Sequence, residues 1–317
     1  MNKFIRIFEN IILPPGNRWV TAVGVFDGVH PGHREIISTA KQRAEKCGAK
    51  VMALTFIPHP RQLLEKDAPP ELLVTVENRV KLLLESGADC CGFIDFTTQT
   101  ASLSPLEFLT GLRDNDIFEV CGICVGEKWR FGSRGEGKRE LLSGFCIENN
   151  WSFDAVKELE LDGVTISSSS IRQALAAGDI AYASRLWGRK ITLHGIVEHG
   201  FQIAGSKLSA PTANLKSHDL PFLPYGVYSG KIDFEGKNHT AILNIGVAPT
   251  FGTLQRRVEI HLLDFNGDLY GKELTVALHR FIRPERRFDS PEALKKQIAL
   301  DIKSVRESHS ASREVEN

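Results

Sequence analysis

The chain has 317 residues, 42% hydrophobic and 25% charged, enough for two globular domains of ordinary size. Thirty-nine lysines and arginines offset thirty-nine aspartates and glutamates, so no global field draws it to nucleic acid or to an anionic membrane. No run approaches the roughly 20 apolar residues of a membrane span, and Pro14-Pro15 cut short the apolar run that a secretory signal needs. All six cysteines (47, 90, 91, 121, 124 and 146) lie in the first half, and a reducing, cytoplasmic home is expected.

In chain order, the first predicted strand is Val20 to Phe26. It stops at Phe26-Asp27-Gly28-Val29-His30-Pro31-Gly32-His33, after which Ile36, Ile37, Ala40 and Ala44 are spaced for one buried helix face reaching Cys47. Strand, glycine-rich turn, helix is a phosphate-binding geometry. Glycine lets the backbone approach an anion, and the helix start offers free N–H groups and a partial positive charge. His30 and His33 are then placed to contact phosphate oxygens and stabilise charge on them. The alternative is a plain turn with two exposed histidines.

Val51–Phe56 reads as a second strand, Val76–Ser86 as a helix ended by Gly87, and Cys90–Phe96 as a short strand. Ser104-Pro105-Leu106-Glu107 is a capping box that opens a helix through Leu112. Ile117–Val125 is the next strand. Cys121 and Cys124 within it have redox or metal-ligand spacing, but i and i+3 of a regular strand face opposite ways, so a structural role is expected. This βαβα order predicts a parallel sheet covered on both faces.

Near Gly163 the pattern changes. Ile166-Ser167-Ser168-Ser169-Ser170-Ile171-Arg172 opens a helix through Ala177, and Gly178-Asp179 resets the chain into another ending near Trp187. From Ile191 the chain reads as all-β, with strands at Ile191–Val197, Gly226–Phe234, Thr240–Ile245, Val258–Phe265 and Leu274–Ile282. Glu235-Gly236-Lys237 and Asn266-Gly267-Asp268 read as hairpin turns. A last helix starts at Ser290-Pro291, with Leu294, Ile298, Ile302 and Val305 on one stripe. The expected division is 1–184, 185–309 and a loose polar tail, 310–317.

Several of these stretches carry chemistry. A serine run needs only one serine to cap a helix, so further hydroxyls beside Arg172 are candidate phosphate donors. The cationic loop Gly126-Glu127-Lys128-Trp129-Arg130-Phe131-Gly132 follows a strand end, and Trp129 is able to stack on an aromatic ring. Its plain alternative is a basic, solvent-facing loop. Thr212 and Asn214 of Pro211-Thr212-Ala213-Asn214 carry side-chain oxygens of a kind a hard cation such as Mg²⁺ accepts. Glu259 alternates with Val258, Ile260 and Leu262, so it faces away from their apolar side. His30, His33 and His59 lack the companions of a metal site, and His59 between two prolines reads as a loop former.

The His30-Pro-Gly-His33 element and Ile166-Ser-Ser-Ser-Ser-Ile-Arg172 resemble the two signatures of the nucleotidylyltransferase superfamily. Pro211-Thr-Ala-Asn214, Val258-Glu-Ile-His261 and Asp268-Leu-Tyr-Gly271 follow in order, with Thr55-Phe-Ile-Pro-His-Pro60, Asn244-Ile-Gly246, Pro249-Thr-Phe251 and Leu186-Trp-Gly-Arg189 in support. Over nearly its whole length the chain resembles the bacterial bifunctional riboflavin kinase/FMN adenylyltransferase family, the FAD synthetases.

The resemblance implies a Rossmann-like α/β nucleotidylyltransferase domain with a parallel sheet, then a small antiparallel β-barrel kinase domain with a C-terminal helix. It implies ATP-dependent phosphorylation of riboflavin to FMN, and adenylylation of FMN to FAD with release of pyrophosphate, both with Mg²⁺. ATP at the first site would meet Phe26, Asp27, Gly28, His30, Gly32, His33, Ser168, Ser169 and Arg172, with His30, His33 and Arg172 catalytic. Gly126, Lys128, Trp129 and Phe131 would form the flavin and nucleotide loop. Gly205, Lys207, Pro211, Thr212 and Asn214 would hold ATP at the kinase site, with Mg²⁺ on Thr212 and Asn214 and Glu259 as base. Riboflavin, FMN, FAD and ATP are the implied partners, with no nucleic acid or membrane; nothing in the sequence sets an oligomeric state.

Two loops depart from the family pattern. Lys128 stands where an acidic or amide residue is usual, and a lysine accepts no hydrogen bond. Ser206, Ser209 and Ala210 replace an arginine, a glycine and an aromatic. A chain with only one live activity, or a flavin- or nucleotide-binding regulator, is therefore the rival reading. A relative of class I tRNA synthetases, suggested by their H-I-G-H element, is disfavoured by the neutral charge.

Overall fold

The apolar run after Arg18 is a strand only as far as Val23. Phe26 and Val29 adopt φ of +53° and +44°, in the left-handed region that a β-branched residue rarely enters, so the chain turns where the sequence predicts continued strand. Gly24 permits this, because a Cβ there would lie 2.9 Å from the folded-back Phe26 ring. The following helix begins at Pro31, two residues ahead of its expected start, with proline in the first turn.

The computed structural model describes residues 4–10, 13, 16–65, 67, 69–198, 213–217, 223–250, 253–265 and 267–315. The chain divides into two compact units, Met1–Ser170 and Ile171–Asn317. In the first, strands β1 (Ile5–Ile7), β2 (Arg18–Val23), β3 (Lys50–Ile57), β4 (Cys90–Asp95), β5 (Glu119–Gly126) and β6 (Ser152–Val156) form one sheet in the order β1-β4-β3-β2-β5-β6. Only the β1–β4 pair among them is antiparallel. Helices α1 (Pro31–Cys47) and α3 (Val76–Glu85) bury Ile37, Ala40, Val80 and Leu83 on one face. Helices α5 (Pro105–Arg113) and α6 (Arg139–Glu148) bury Phe108, Leu109, Leu142 and Phe145 on the other. Short helices α2 (Pro60–Leu64) and α4 (Thr98–Ala101) and the small ribbon β7 (Glu160–Leu161) and β8 (Val164–Thr165) complete the unit.

The strand order reverses between β2 and β5. Successive strands run outward from β2 on one side and then restart on the other, leaving a crevice at the carboxyl ends of these two strands, where ligands of open α/β sheets bind. The turn after β2 and the Gly126 loop after β5 both stand there. A register shift opposite Trp19/Val20 inserts one residue into β5 at Cys121. Cys121 and Cys124 therefore share the α1 face instead of opposing each other; both are buried, and burial pushes the Cys121 thiol up to about 11.

Helix α7 (Ser168–Ala176) spans the division between the units, and α8 (Ile180–Trp187) is capped by Asp179 and ended by left-handed Gly188. Strands β9 (Thr192–Glu198), β10 (Ala213–Ser217), β11 (Gly226–Phe234), β12 (Lys237–Thr250), β13 (Thr253–Leu262) and β14 (Glu273–Pro284) close into a barrel in the order β10-β13-β12-β11-β14-β9. Glu235-Gly236 does make a hairpin, joining β11 to β12 with positive φ at both residues. The stretch at Gly267 does not, because β13 and β14 are not neighbours in the barrel. Helix α9 (Pro291–Val315) continues past the point where a loose tail was expected.

Arg283 of β14 and Asp301 of α9 fasten the helix to the barrel. The guanidinium gives three hydrogen bonds of 2.9–3.1 Å to the carboxylate, and Gln297 adds one at 2.7 Å. Asp301 is 4% exposed. Asp301→Ala would leave the half-buried Arg283 guanidinium without its carboxylate and is expected to destabilise the C-terminal unit by about 3 kcal/mol, read from urea unfolding midpoints.

Candidate active sites

In the first unit the site grows from the turn between β2 and α1. His30 precedes α1 but makes no capping bond through its side chain. Its ring stacks on that of His33, one helical turn on, at 3.6 Å between centroids and 22° between planes. Neither histidine stands exposed as the plain-turn alternative requires. His30 is 6% exposed, and the Nδ1 atoms of both rings are enclosed without a hydrogen-bond partner. Burial, reinforced by Arg34, lowers His30 to about 4; burial, then His30 and Arg79, holds His33 well below the usual imidazole range. Both rings are neutral near pH 7, so they offer N–H donors rather than permanent charge.

The rest of the turn is a brace. Phe26 is fully buried with its ring edge against His33 at 5.2 Å. Asp27, 1% exposed, accepts the Leu73 N–H at 2.9 Å. These two side chains lie beneath the turn, which itself offers backbone groups at left-handed Gly28 and beyond. A Cβ on Gly32 would meet the His30 ring at 3.2 Å, so this position is bare for a steric reason.

The serine run divides its labour. Ser167 and Ser170 cap α7 reciprocally, with Ser170 N–H on Ser167 Oγ at 3.1 Å and Ser167 N–H on Ser170 Oγ at 2.9 Å. Capping thus takes two serines, where one was expected. Ser168 Oγ donates to the Asp27 carbonyl at 2.8 Å and ties the start of α7 to the histidine turn. Ser169 is exposed at that start, and Arg172 follows one turn along the same helix.

After β5, Trp129 and Phe131 stack at 4.9 Å and 17°, and both pack towards Phe108. Lys128 is exposed and ion-paired with Glu158, which raises its pKa, so its ammonium ties the loop to the segment after β6. His59 shapes its loop as expected: its Nδ1 accepts the Arg61 N–H at 3.1 Å in a capping box with Gln62. No metal-binding cluster of His, Cys, Asp or Glu occurs among the described residues. A cavity of about 700 Å³ beside Phe4, Leu106 and Glu107 includes none of the turn's residues.

In the second unit the alternation of β13 places Val258, Ile260 and Leu262 in the barrel core and Glu259 outside it. Pairing registers set Asn214 of β10 and Asn244 of β12 on either side of Glu259. The Oδ1 atom of Asn214 is buried without a partner. Glu259, half-buried rather than an exposed strand residue, opens with Asn244 and His261 into a cavity of about 290 Å³ closed by Arg283, Phe288 and Ile298. Burial raises the Glu259 carboxyl above its ordinary range; Arg257 opposes this and Glu285 adds to it. Gly205, Lys207, Pro211 and Thr212 lie outside the described residues.

Sequence reading missed Asn244, Glu285 and Arg283 as cavity residues, and it missed the buried Arg79. Asn244 was legible in principle, since strand pairing across from Glu259 repeats its outward parity. Arg79 had one signal, a cation on the same helix stripe as Val80 and Leu83.

Residues 15–170 match the family model described as FAD synthetase, and 187–309 match the one described as riboflavin kinase. The bifunctional riboflavin kinase/FMN adenylyltransferase of Pseudomonas fluorescens is 36% identical over 96% of this chain and 97% of its own length. The one of Bacillus subtilis (strain 168) is 34% identical over 89% and 90%. A solved structure described as a macrolide-efflux protein from Streptococcus pneumoniae aligns with a TM-score of 0.77 at 29% identity, covering 93% of this chain and 95% of that one. Its name speaks of efflux, whereas no helix among the described residues here is long and apolar enough to cross a membrane. With both family models matched in order and full-length relatives above 30% identity, the chain belongs to the bifunctional riboflavin kinase/FMN adenylyltransferase family, which converts riboflavin to FMN and FMN to FAD.

Proposed function

We propose that the histidine turn adenylylates FMN and that the Glu259 cavity phosphorylates riboflavin, with the functional halves at 1–184 and 185–309. The observation that carries this reading is a set of buried polar atoms without partners: His30 Nδ1 and His33 Nδ1 at one site, Asn214 Oδ1 at the other. Such atoms cost stability unless a ligand meets them.

At the first site an FMN phosphate oxygen attacks the α-phosphorus of ATP. A P–O bond forms, the α–β bridging bond breaks, and pyrophosphate leaves, with no covalent enzyme intermediate. Catalysis is then mostly positioning and charge stabilisation. His30 and His33 donate N–H bonds to the triphosphate, Gly28, Gly32 and the start of α1 offer backbone N–H groups, and Phe26 and Asp27 hold the turn. Ser169 and the Arg172 fork meet β and γ oxygens, while Ser168, whose hydroxyl is given to the Asp27 carbonyl, holds α7 to the turn. Trp129 and Phe131 present an aromatic wall to the flavin, Gly126 opens their loop, and Lys128 ties that loop to Glu158 after β6.

At the second site Glu259 takes the proton from the ribityl 5′-hydroxyl as its oxygen attacks the γ-phosphorus and ADP leaves. Its raised pKa strengthens it as a base. Mg²⁺ fits the donor set, because it needs only one or two protein oxygens beside phosphate and water, and the bare Asn214 Oδ1 supplies one. Asn214 and Thr212 would hold it, and it would neutralise charge on the β and γ phosphates. Gly205, Lys207 and Pro211 belong to the same ATP loop. The proposed location is the cytoplasm, and the partners are small molecules only.

Glu259→Ala is expected to lower riboflavin phosphorylation by about 10²–10⁴-fold while FAD formation from supplied FMN is unchanged, measured by flavin chromatography. His33→Ala and Arg172→Ala should do the reverse, letting FMN accumulate with FAD formation down by about 10²-fold or more.

The neutral histidines predict a pH dependence. His30 stands at 6.5 unfolded and about 4 folded, so the unfolded chain binds the extra proton as pH falls between these values. The stabilisation is complete above about pH 6.5, and roughly 3 kcal/mol of it is lost by pH 4. Urea unfolding of the N-terminal unit at pH 7 and pH 4.5 should show this drop, and His30→Asn should remove the His30 share while the part due to His33 remains.

A further inference from the structure

Arg79 is among the largest fully buried side chains of the described residues, at 1% exposure. It stands on α3, outside the signature stretches named above. A guanidinium taken out of water costs several kcal/mol unless other charges answer it. The acceptors recorded for it are neutral oxygens. Nη1 reaches the Val25 carbonyl, Thr55 Oγ1 and the Phe56 carbonyl, each at 3.3 Å. Nε has no partner. Asp27 attracts it through space, while its own carboxylate is occupied by the Leu73 N–H.

The position of these acceptors is informative. Val25 follows the end of β2 and Phe56 lies near the end of β3, so one guanidinium ties both strand ends where the histidine turn departs. Thr55 Oγ1 donates to the same Val25 carbonyl at 2.7 Å and completes the knot. Immediately after Val25 comes Phe26, with its left-handed φ. The charge of Arg79 is felt at His33, which faces the site. Both histidines are neutral, so a tetraanionic nucleotide arriving at the turn finds its fixed positive charge elsewhere, and Arg79 is one place where the fold stores it.

We propose that Arg79 is a positioning residue for adenylyl transfer, a permanent cation behind the histidine turn that pins the Val25 carbonyl and answers the charge of the bound phosphates. This rests on the reading that the turn holds the triphosphate. A lysine carries the charge, but its ammonium ends one bond short of the place where Nη1 meets all three acceptors. Charge and geometry are therefore separable by substitution.

The test compares full-length wild type, Arg79→Met and Arg79→Lys. It reads kcat and KM for ATP in FAD formation from FMN, and the thermal stabilisation given by added pyrophosphate. Arg79→Met is expected to lose about 10²-fold in kcat/KM for ATP together with the pyrophosphate stabilisation. Arg79→Lys should regain the stabilisation yet stay about tenfold low in kcat. Riboflavin phosphorylation should hold in both. Arg79→Met within threefold of wild type overturns the proposal. So does equal loss in both variants with a lowered unliganded melting point, since Arg79 is then only a structural prop. If His33→Ala also leaves FAD formation intact, the reading of the turn itself has failed, whereas intact Arg79→Met beside a defective His33→Ala removes Arg79 alone.

Discussion

Polar atoms held without partners in places closed to water are the constraint on which both halves of this protein turn. Each such atom costs roughly 1–3 kcal/mol, so the fold has to hold it by other means. At the first site that support is visible as Phe26 packed edge-on against His33, Gly24 left bare for the Phe26 ring, and Asp27 locked to Leu73. At the second it is the barrel ladder on both sides of Glu259 and the Arg283–Asp301 clasp that keeps α9 over the cavity. The rigid, solvent-poor surround would hold N–H donors for an anion at the first site and oxygen acceptors for a cation or a hydroxyl at the second.

The two sites are built by different geometry from one rule. In the α/β unit the reversal of strand order at β2 and β5 opens a crevice, and whatever follows those two strands faces it. In the barrel there is no such crevice. There the two-residue period of β13 sends its apolar side chains inward and its carboxylate outward, and a helix is needed to roof the result. FMN leaves the second kind of site as product and enters the first as substrate, which gives a chemical reason for joining them in one chain.

Much of this was legible from residue order. The glycine and histidine spacing, the Ser104 capping box and the outward parity of Glu259 rest on local periodicity, and each appears where the pattern puts it. What local pattern could not carry was anything set by a neighbour in space. The strand after Arg18 ends early because Phe26 has to fold back under His33. Cys121 and Cys124 share a face because a bulge in β5, set by its partner β2, resets the parity. The stretch at Gly267 has the residues of a hairpin turn, but barrel closure gives β14 the neighbours β11 and β9. Arg79 reads as an ordinary helix cation until the ends of two strands are brought to it.

Both sites are expected to act in this chain with Lys128, Ser206, Ser209 and Ala210 in place of the usual residues. Chromatography of flavins tests it most directly, with purified protein, ATP and Mg²⁺ incubated either with riboflavin or with FMN. FAD is expected in both reactions, with FMN appearing first in the one begun from riboflavin. FMN alone from riboflavin together with no FAD from FMN would contradict it, as would FAD formed from FMN but nothing from riboflavin.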